Sequence, residues 1–342
     1  MNKYVISIDW LSIYCSGIIP ENSTERYKII DAKLPTRQWN RLTYVYDKKL
    51  SEKIHLFEIV SQPHLKTIDQ TACIIKIRNF ALYTRHFTKD LNQLIRELKL
   101  QYNGISRIDI CADFNKFETC TVQQFYTDFF TNKIIKNGQG KYKAQGQQKQ
   151  NIHTYTGIKF GSPTSTITTN LYNKTLELKE VKFKKYIFDK WKKCKLETDT
   201  DVHRLEFAIH GNIKIVDENG EINPINLNML ENSEYTTNLY SYFYEKYFDF
   251  RQISTDTNKS RLKRINLINI HESTFKEIVN LTQQQDAKRS ERIFIKKFWK
   301  IIQNTDRHPE QITVLNHALD ITAHITGLTY YLTCKKKHWL RE

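Results

Sequence analysis

The sequence predicts an α+β fold: a largely antiparallel sheet with flanking helices, followed by a helical C-terminal domain. Two observations carry the sheet. Period-2 alternation of β-branched and aromatic residues recurs along the first two thirds of the chain. The strands at 152–160 and 165–173 are joined only by Gly161-Ser162-Pro163, too short for a parallel crossover. A third carries the boundary: from about 226 the chain turns aromatic and helix-patterned, which places a first, sheet-bearing domain at 1–225 and a helical domain at 226–342.

In chain order, the alternation from Tyr4 to Tyr14 predicts the first strand, and 16–40 is turn-rich and polar. Strands are expected at 42–47, 55–61 and 72–83. Thr88 is the expected N-cap of a helix that places Leu91, Leu94, Ile95 and Leu98 on one face. After an expected turn at Asn103-Gly104, residues 106–114 form a strand with Arg107, Asp109, Cys111 and Asp113 on one side. Thr121-x-x-Gln124 is a capping box opening a second helix. The Gln/Gly/Lys-rich stretch 137–151 is expected as a mobile basic loop. Residues 182–193 are expected to be helical, and 202–210 form a strand. Residues 273–281, 286–303 and 309–333 carry helical spacing.

Composition narrows the function. Of 342 residues, 53 are Lys or Arg and 37 Asp or Glu, a net charge of +16 that fits a polyanionic partner, nucleic acid first. No apolar run approaches the ~20 residues of a membrane span, and Asp9 falls too early for a signal peptide. Six scattered cysteines with no Cys-x-x-Cys fit free thiols in a reducing, cytoplasmic setting.

The chemistry-bearing residues lie on three strands. On 166–172, Thr168, Asn170 and Tyr172 share a face, with Lys174 two residues beyond the tyrosine. Asp109 and Asp113 point to one side of their strand, about 13 Å apart, and Glu206 repeats the arrangement beside Arg204. Two readings stand: Arg107 and Arg204 pair with these acids as structural salt bridges, or the acids hold a hard cation, Mg²⁺ or Mn²⁺. A phenol, with a pKa of about 10, needs such a cation or Lys174 nearby to attack a phosphodiester. The segment 182–195 interleaves lysines with aromatics, giving Lys182, Lys184, Lys185, Lys190, Lys192 and Lys193 as candidate phosphate contacts, with Lys159 nearer the tyrosine. The segment 288–300 shares the pattern, which an ordinary amphipathic helix explains equally well.

Three blocks in order give a resemblance. Arg107-Ile108-Asp109-Ile110-Cys111-Ala112-Asp113-Phe114, then Phe160-Gly161-Ser162 with Leu171-Tyr172-Asn173-Lys174 and Glu177, then His203-Arg204-Leu205-Glu206 resemble the Rep_trans family. Its members are replication initiators of rolling-circle plasmids, with related relaxases of conjugative elements, and the resemblance covers about residues 70–215. It implies metal-dependent, site-specific nicking and strand transfer through a covalent 5′-phosphotyrosine, serving a plasmid, phage or mobile element. Tyr172 is then the nucleophile, with Lys174 beside it, and Asp109 and Glu206, with Asp113, match the acidic metal positions. The implied partners are origin DNA, single-stranded or as an extruded hairpin, a host helicase, since no phosphate-cradling Gly loop is present, and a second copy in a homodimer. Pro163 and Asn170 depart from the family, which has arginines there to grip phosphate. Two alternatives share the fold: the relaxase of a mobilisable element, and a non-catalytic DNA-binding regulator.

Overall fold

A computed structural model describes residues 3–280, apart from 33–37, 51–53, 66–67, 139, 150–151, 163–164, 212, 217–219, 221, 256–260 and 276, together with 317 and 320. The chain begins with β1 (Tyr4–Ser16), β2 (Tyr27–Asp31), β3 (Trp39–Asp47), β4 (Phe57–Pro63) and β5 (Ala72–Ile77). Next come α1 (Asn79–Thr84), α2 (Phe87–Glu97), β6 (Gln101–Phe114), α3 (Val122–Phe130) and β7 (Ile134–Lys136). The central part holds β8 (Tyr142–Lys149), β9 (Ile152–Phe160), β10 (Ile167–Asn173), α4 (Lys174–Glu180), α5 (Lys185–Lys193) and β11 (His203–His210). Then follow β12 (Ile213–Val216), β13 (Ile222–Pro224), α6 (Ser233–Tyr247), β14 (Phe250–Gln252) and β15 (Glu277–Asn280).

Ten strands form one sheet in the order β2-β3-β4-β5-β1-β6-β11-β10-β9-β8. Every neighbouring pair in it is antiparallel. The α+β class read from the sequence is therefore the class of the molecule. Alternation splits the central strands into an apolar and a polar face. Ile110, Leu205, Phe207, Leu171, Ile158 and Phe160 point to one side and join Leu91, Leu94, Phe125, Tyr240 and Phe243 of α2, α3 and α6 in the main core. Burying a side chain of that size contributes about 1.5–3 kcal/mol. Asp109, Asp113, Arg204, Glu206, Asn170 and Tyr172 point to the other side. A smaller core there, Leu178, Ile187 and Trp191 against Val5 and Val202, seats α4 and α5 beside them.

Several local expectations are corrected. Residues 72–83 are not one strand: β5 ends at Ile77 and α1 begins at Asn79, whose side-chain amide donates to the Asp9 carbonyl, 2.7 Å. Thr88 is not the N-cap, because α2 starts at Phe87 and the Thr88 amide donates instead to Glu231, 2.9 Å. Asn103-Gly104 does not turn the chain; it sits within β6, where Tyr14 pairs with Gly104 and Cys15 with Tyr102, leaving Asn103 as a bulge. The stretch 137–151 carries the edge strand β8, paired along its length with β9, so backbone pairing overrides its loop-like composition. Residues 277–280 are strand, not helix, and the helices expected at 286–303 and 309–333 lie outside the described residues.

The division near 226 also moves. Helix α6 lays Tyr240 and Phe243 on the main sheet, with the Tyr240 and Phe207 ring centroids 5.3 Å apart. The first compact unit runs from Met1 to Val279, and the second from Asn280 to Glu342.

Candidate active site

Tyr172 is the penultimate residue of β10, and the local sequence explains how Lys174 comes to lie beneath it. Asn173 ends the strand and caps α4, its side-chain oxygen accepting from the Leu176 amide, 2.9 Å. The Lys174 amide donates to the Val202 carbonyl, 2.8 Å. The chain thus curls back at once, and the Lys174 side chain, 1% exposed, returns under the ring. Its Nζ donates to the Tyr172 hydroxyl, 3.3 Å, and pairs with Glu177. The phenol in turn donates to Glu206 Oε2, 3.5 Å.

Register makes rows across the face. Gly157, Tyr172, Arg204, Asp113 and Val5 form one, and Lys159, Asn170, Glu206, Cys111 and Ser7 the next. Thr168, Ala208, Asp109 and Trp10 form a third. Gly157 is required opposite the tyrosine: a Cβ there would meet the Tyr172 Cβ and the Leu171 carbonyl at 3.1 Å and Gln145 Oε1 at 2.8 Å.

The four acids divide into two roles. Asp113 is expected among the metal-holding acids, but both its oxygens are taken. Arg204 Nε and Nη2 donate to it at 2.6 and 2.8 Å and Trp191 Nε1 at 2.7 Å, all in the interior. It is one half of a buried clamp, the structural salt bridge that the sequence left open as an alternative. Trp191, one of the aromatics interleaved with the lysines of 182–195, is buried in the same clamp. Asp109 also has an arginine, with Arg107 Nε and Nη2 at 2.8 and 2.6 Å.

The acid that sequence reading passed over is Asp9. It lies where the β1–β6 register slips between Ile8 and Trp10. From this bulge it reaches Arg204 at 2.6 Å, accepts from Tyr83 at 2.9 Å and accepts from Asn79 at 3.0 Å. Its only signal in the sequence is an acid in the middle of an apolar strand, costly to bury unless partnered.

Electrostatics group Asp9, Asp109 and Glu206. Burial, followed by the charges of Asp9 and Asp109, pushes the Glu206 carboxyl up to about 7. Burial also raises Asp109, against the pull of Arg107 and with Asp9 adding to the rise. Asp9 itself is held well below the usual carboxylate range: burial opposes this, but Arg204, Lys174 and the hydrogen bond from Asn79 outweigh it. Burial and the Glu206 charge push the Tyr172 phenol well above its ordinary value. Among the described residues no three His, Cys, Asp or Glu side chains are arranged as a ready metal cage. The donor chemistry nevertheless fits a hard cation, because two carboxyls raised first by burial and then by neighbouring negative charge are groups that a divalent ion would relieve.

The candidate phosphate contacts scatter. Lys159 is exposed on β9 opposite Asn170, whose side-chain oxygen is buried with no hydrogen-bond donor. Lys182, Lys184 and Lys185 line one cleft together with Asp9. Lys190 lies over the Tyr83 ring at 5.2 Å and Lys192 over Phe188 at 4.8 Å, while Lys193 is exposed. Pro163 lies outside the described residues.

Fold and site together define an antiparallel α+β protein with a tyrosine, a lysine and a group of acids on one sheet face. No family model matches the chain, and no curated protein matches it. Among solved structures it is similar to a rolling circle replication initiator protein from Geobacillus stearothermophilus, with a TM-score of 0.48 and 10% identity. That match covers 77% of this chain and 93% of the other. No helix among the described residues is long and apolar enough to cross a membrane.

Proposed function

We propose that this protein nicks and transfers a single DNA strand through a covalent Tyr172–DNA link, in the manner of initiators of rolling-circle replication. One observation carries the reading: the Tyr172 hydroxyl lies between Lys174 Nζ, at 3.3 Å, and Glu206 Oε2, at 3.5 Å, on the face that also gathers Asp9 and Asp109. Attack of the phenol oxygen on the scissile phosphorus forms the tyrosine–phosphate bond and breaks the bond from phosphorus to the 3′-oxygen. The DNA 5′-phosphate stays on Tyr172, and the departing 3′-oxygen takes a proton. Lys174 stabilises the phenolate at its oxygen, and Glu206 stands within reach of the phenolic proton.

Glu206 and Asp109 would hold Mg²⁺ or Mn²⁺, with Asp9 as a third oxygen donor; Asp113 is committed to Arg204 and takes no part. When bound, the ion supplies Lewis-acid polarisation of the phosphoryl oxygen. Origin recognition, a helicase partner and self-association belong to the same reading, as does a DNA- or partner-binding role for the C-terminal unit. A relaxase of a mobilisable element would use the same site chemistry.

The test is incubation with single-stranded DNA carrying the cognate origin and Mn²⁺, followed by denaturing electrophoresis. A covalent protein–DNA band is expected and should vanish in Tyr172→Phe. A band that persists in that variant moves the nucleophile elsewhere. Asn170 favours a second reading, a DNA-binding regulator that does not cut, because this amide, its buried oxygen without a hydrogen-bond donor, stands one row from Tyr172 where an arginine would grip phosphate. Binding to DNA with no band on any origin strand would establish that reading instead.

A further inference from the structure

Next to the acid group, but outside it, a cleft of about 470 Å³ opens between β1, β5 and the chain entering α5. Its floor is sheet. Trp10 lies there with Lys76 Nζ 4.0 Å from its ring centroid on β5 and the Arg107 guanidinium 4.5 Å away on β6. Its far wall is the segment Lys182–Tyr186. Lys182 and Lys185 are exposed there, and Phe183 is 61% exposed, an unusual placement for a phenylalanine. His55 closes the outer end, its ring 4.6 Å from that of Tyr44 on β3.

Cations and rings therefore alternate along a trough whose inner end is Asp9. Lys76, Arg78 and His55 share a single acid, Glu58, at 3.1, 2.6 and 3.1 Å, so the lining keeps a positive excess. Burial, followed by the Lys174 charge, pulls Lys184 down. The helices α4 and α5 cover the face beside Tyr172 and leave this part of the sheet open.

We propose that this trough binds the unpaired DNA that flanks the scissile phosphate, with bases stacked on Phe183 and His55 and phosphates met by Lys182, Lys185 and Lys76. The proposal rests on the nicking reading for its choice of strand, and on the trough alone for its chemistry. Tracks of cations with interleaved aromatics grip single strands without reading sequence, because every base offers a face to stack on. A duplex hides those faces, so a double-stranded probe of the same length is the discriminating control.

The experiment measures fluorescence anisotropy of a labelled, mixed-sequence oligonucleotide of about eight nucleotides, within the usual reach of single-strand grooves. The full-length chain is used, in parallel with the covalent-band assay. Phe183→Ala and the pair Lys182→Ala/Lys185→Ala alter exposed side chains, and each should weaken single-strand binding roughly tenfold, one stacked base or a few phosphates. Loss of binding in the trough variants without any covalent band would sustain the trough and remove the nicking reading. A covalent band with unchanged binding in the trough variants would sustain nicking and overturn the trough. Equal loss from Lys89→Ala/Lys116→Ala, which lie outside the cleft, would reduce the effect to net charge and overturn it too, as would preference for the duplex.

Discussion

The Glu206 side chain carries the most informative charge in the site. Crowding by Asp9 and Asp109 in a buried setting makes its proton hard to lose, so its carboxyl titrates near 7 instead of 4.5. The folded state then holds a proton that the unfolded chain has released, and folding stability falls as pH rises between about 4.5 and 7. Glu206→Gln lacks this ionisation. Without divalent ions it should melt above the unaltered protein at pH 8 and lose that advantage by pH 5. Thermal melts at both pH values check this. Equal pH dependence in the two proteins would show that Glu206 does not carry the effect. Added Mn²⁺ should raise the melting temperature of the unaltered protein at pH 8 and leave Glu206→Gln nearly unmoved.

At the scale of elements, Arg204 fastens three strands. From β11 it holds Asp113 of β6 and Asp9 of β1, with Tyr83 of α1 and Trp191 of α5 bound to the same carboxylates. Arg204→Ala leaves two acids in the interior without their cation, and breaking a buried pair in this way costs about 3–5 kcal/mol. The urea midpoint should fall accordingly, and a loss below about 1 kcal/mol, the worth of a surface pair, would show the clamp to be solvated. Much of this architecture was legible in the sequence. The alternation at 106–114, 167–173 and 203–210 named the central strands and put Tyr172, Asp109 and Glu206 on faces that the sheet then aligned. Asp9 was not legible, because a β-bulge shifts register and only pairing with β6 shows where the residue lands. Strand β8 was hidden for a related reason: Gln, Gly and Lys have little strand preference, and an edge strand is held by its neighbour's backbone.

At the scale of the whole molecule, the aromatic helix that seemed to begin a second domain completes the first. Without α6, Phe207 would lose its cover, and the main sheet would expose apolar surface. A fragment ending at Asn280 should unfold in a single cooperative transition. One ending at Ile225 should bind a hydrophobic dye and aggregate. A soluble, cooperatively folding 1–225 fragment would restore the earlier boundary.

The sheet also has a handedness with a mechanical outcome. Neighbouring strands rotate by about 20–25°, and four steps separate β10, which carries Tyr172, from β5, which carries Lys76. The strand direction beneath anything lying across that face therefore rotates by about 80–100° within about 19 Å. A duplex, with a persistence length of about 150 base pairs, is too stiff to follow such a twisted surface closely, whereas an unpaired strand adapts to it. If the tyrosine acts on DNA as proposed, the twist of the sheet favours a flexible, unpaired strand on that face over an intact helix.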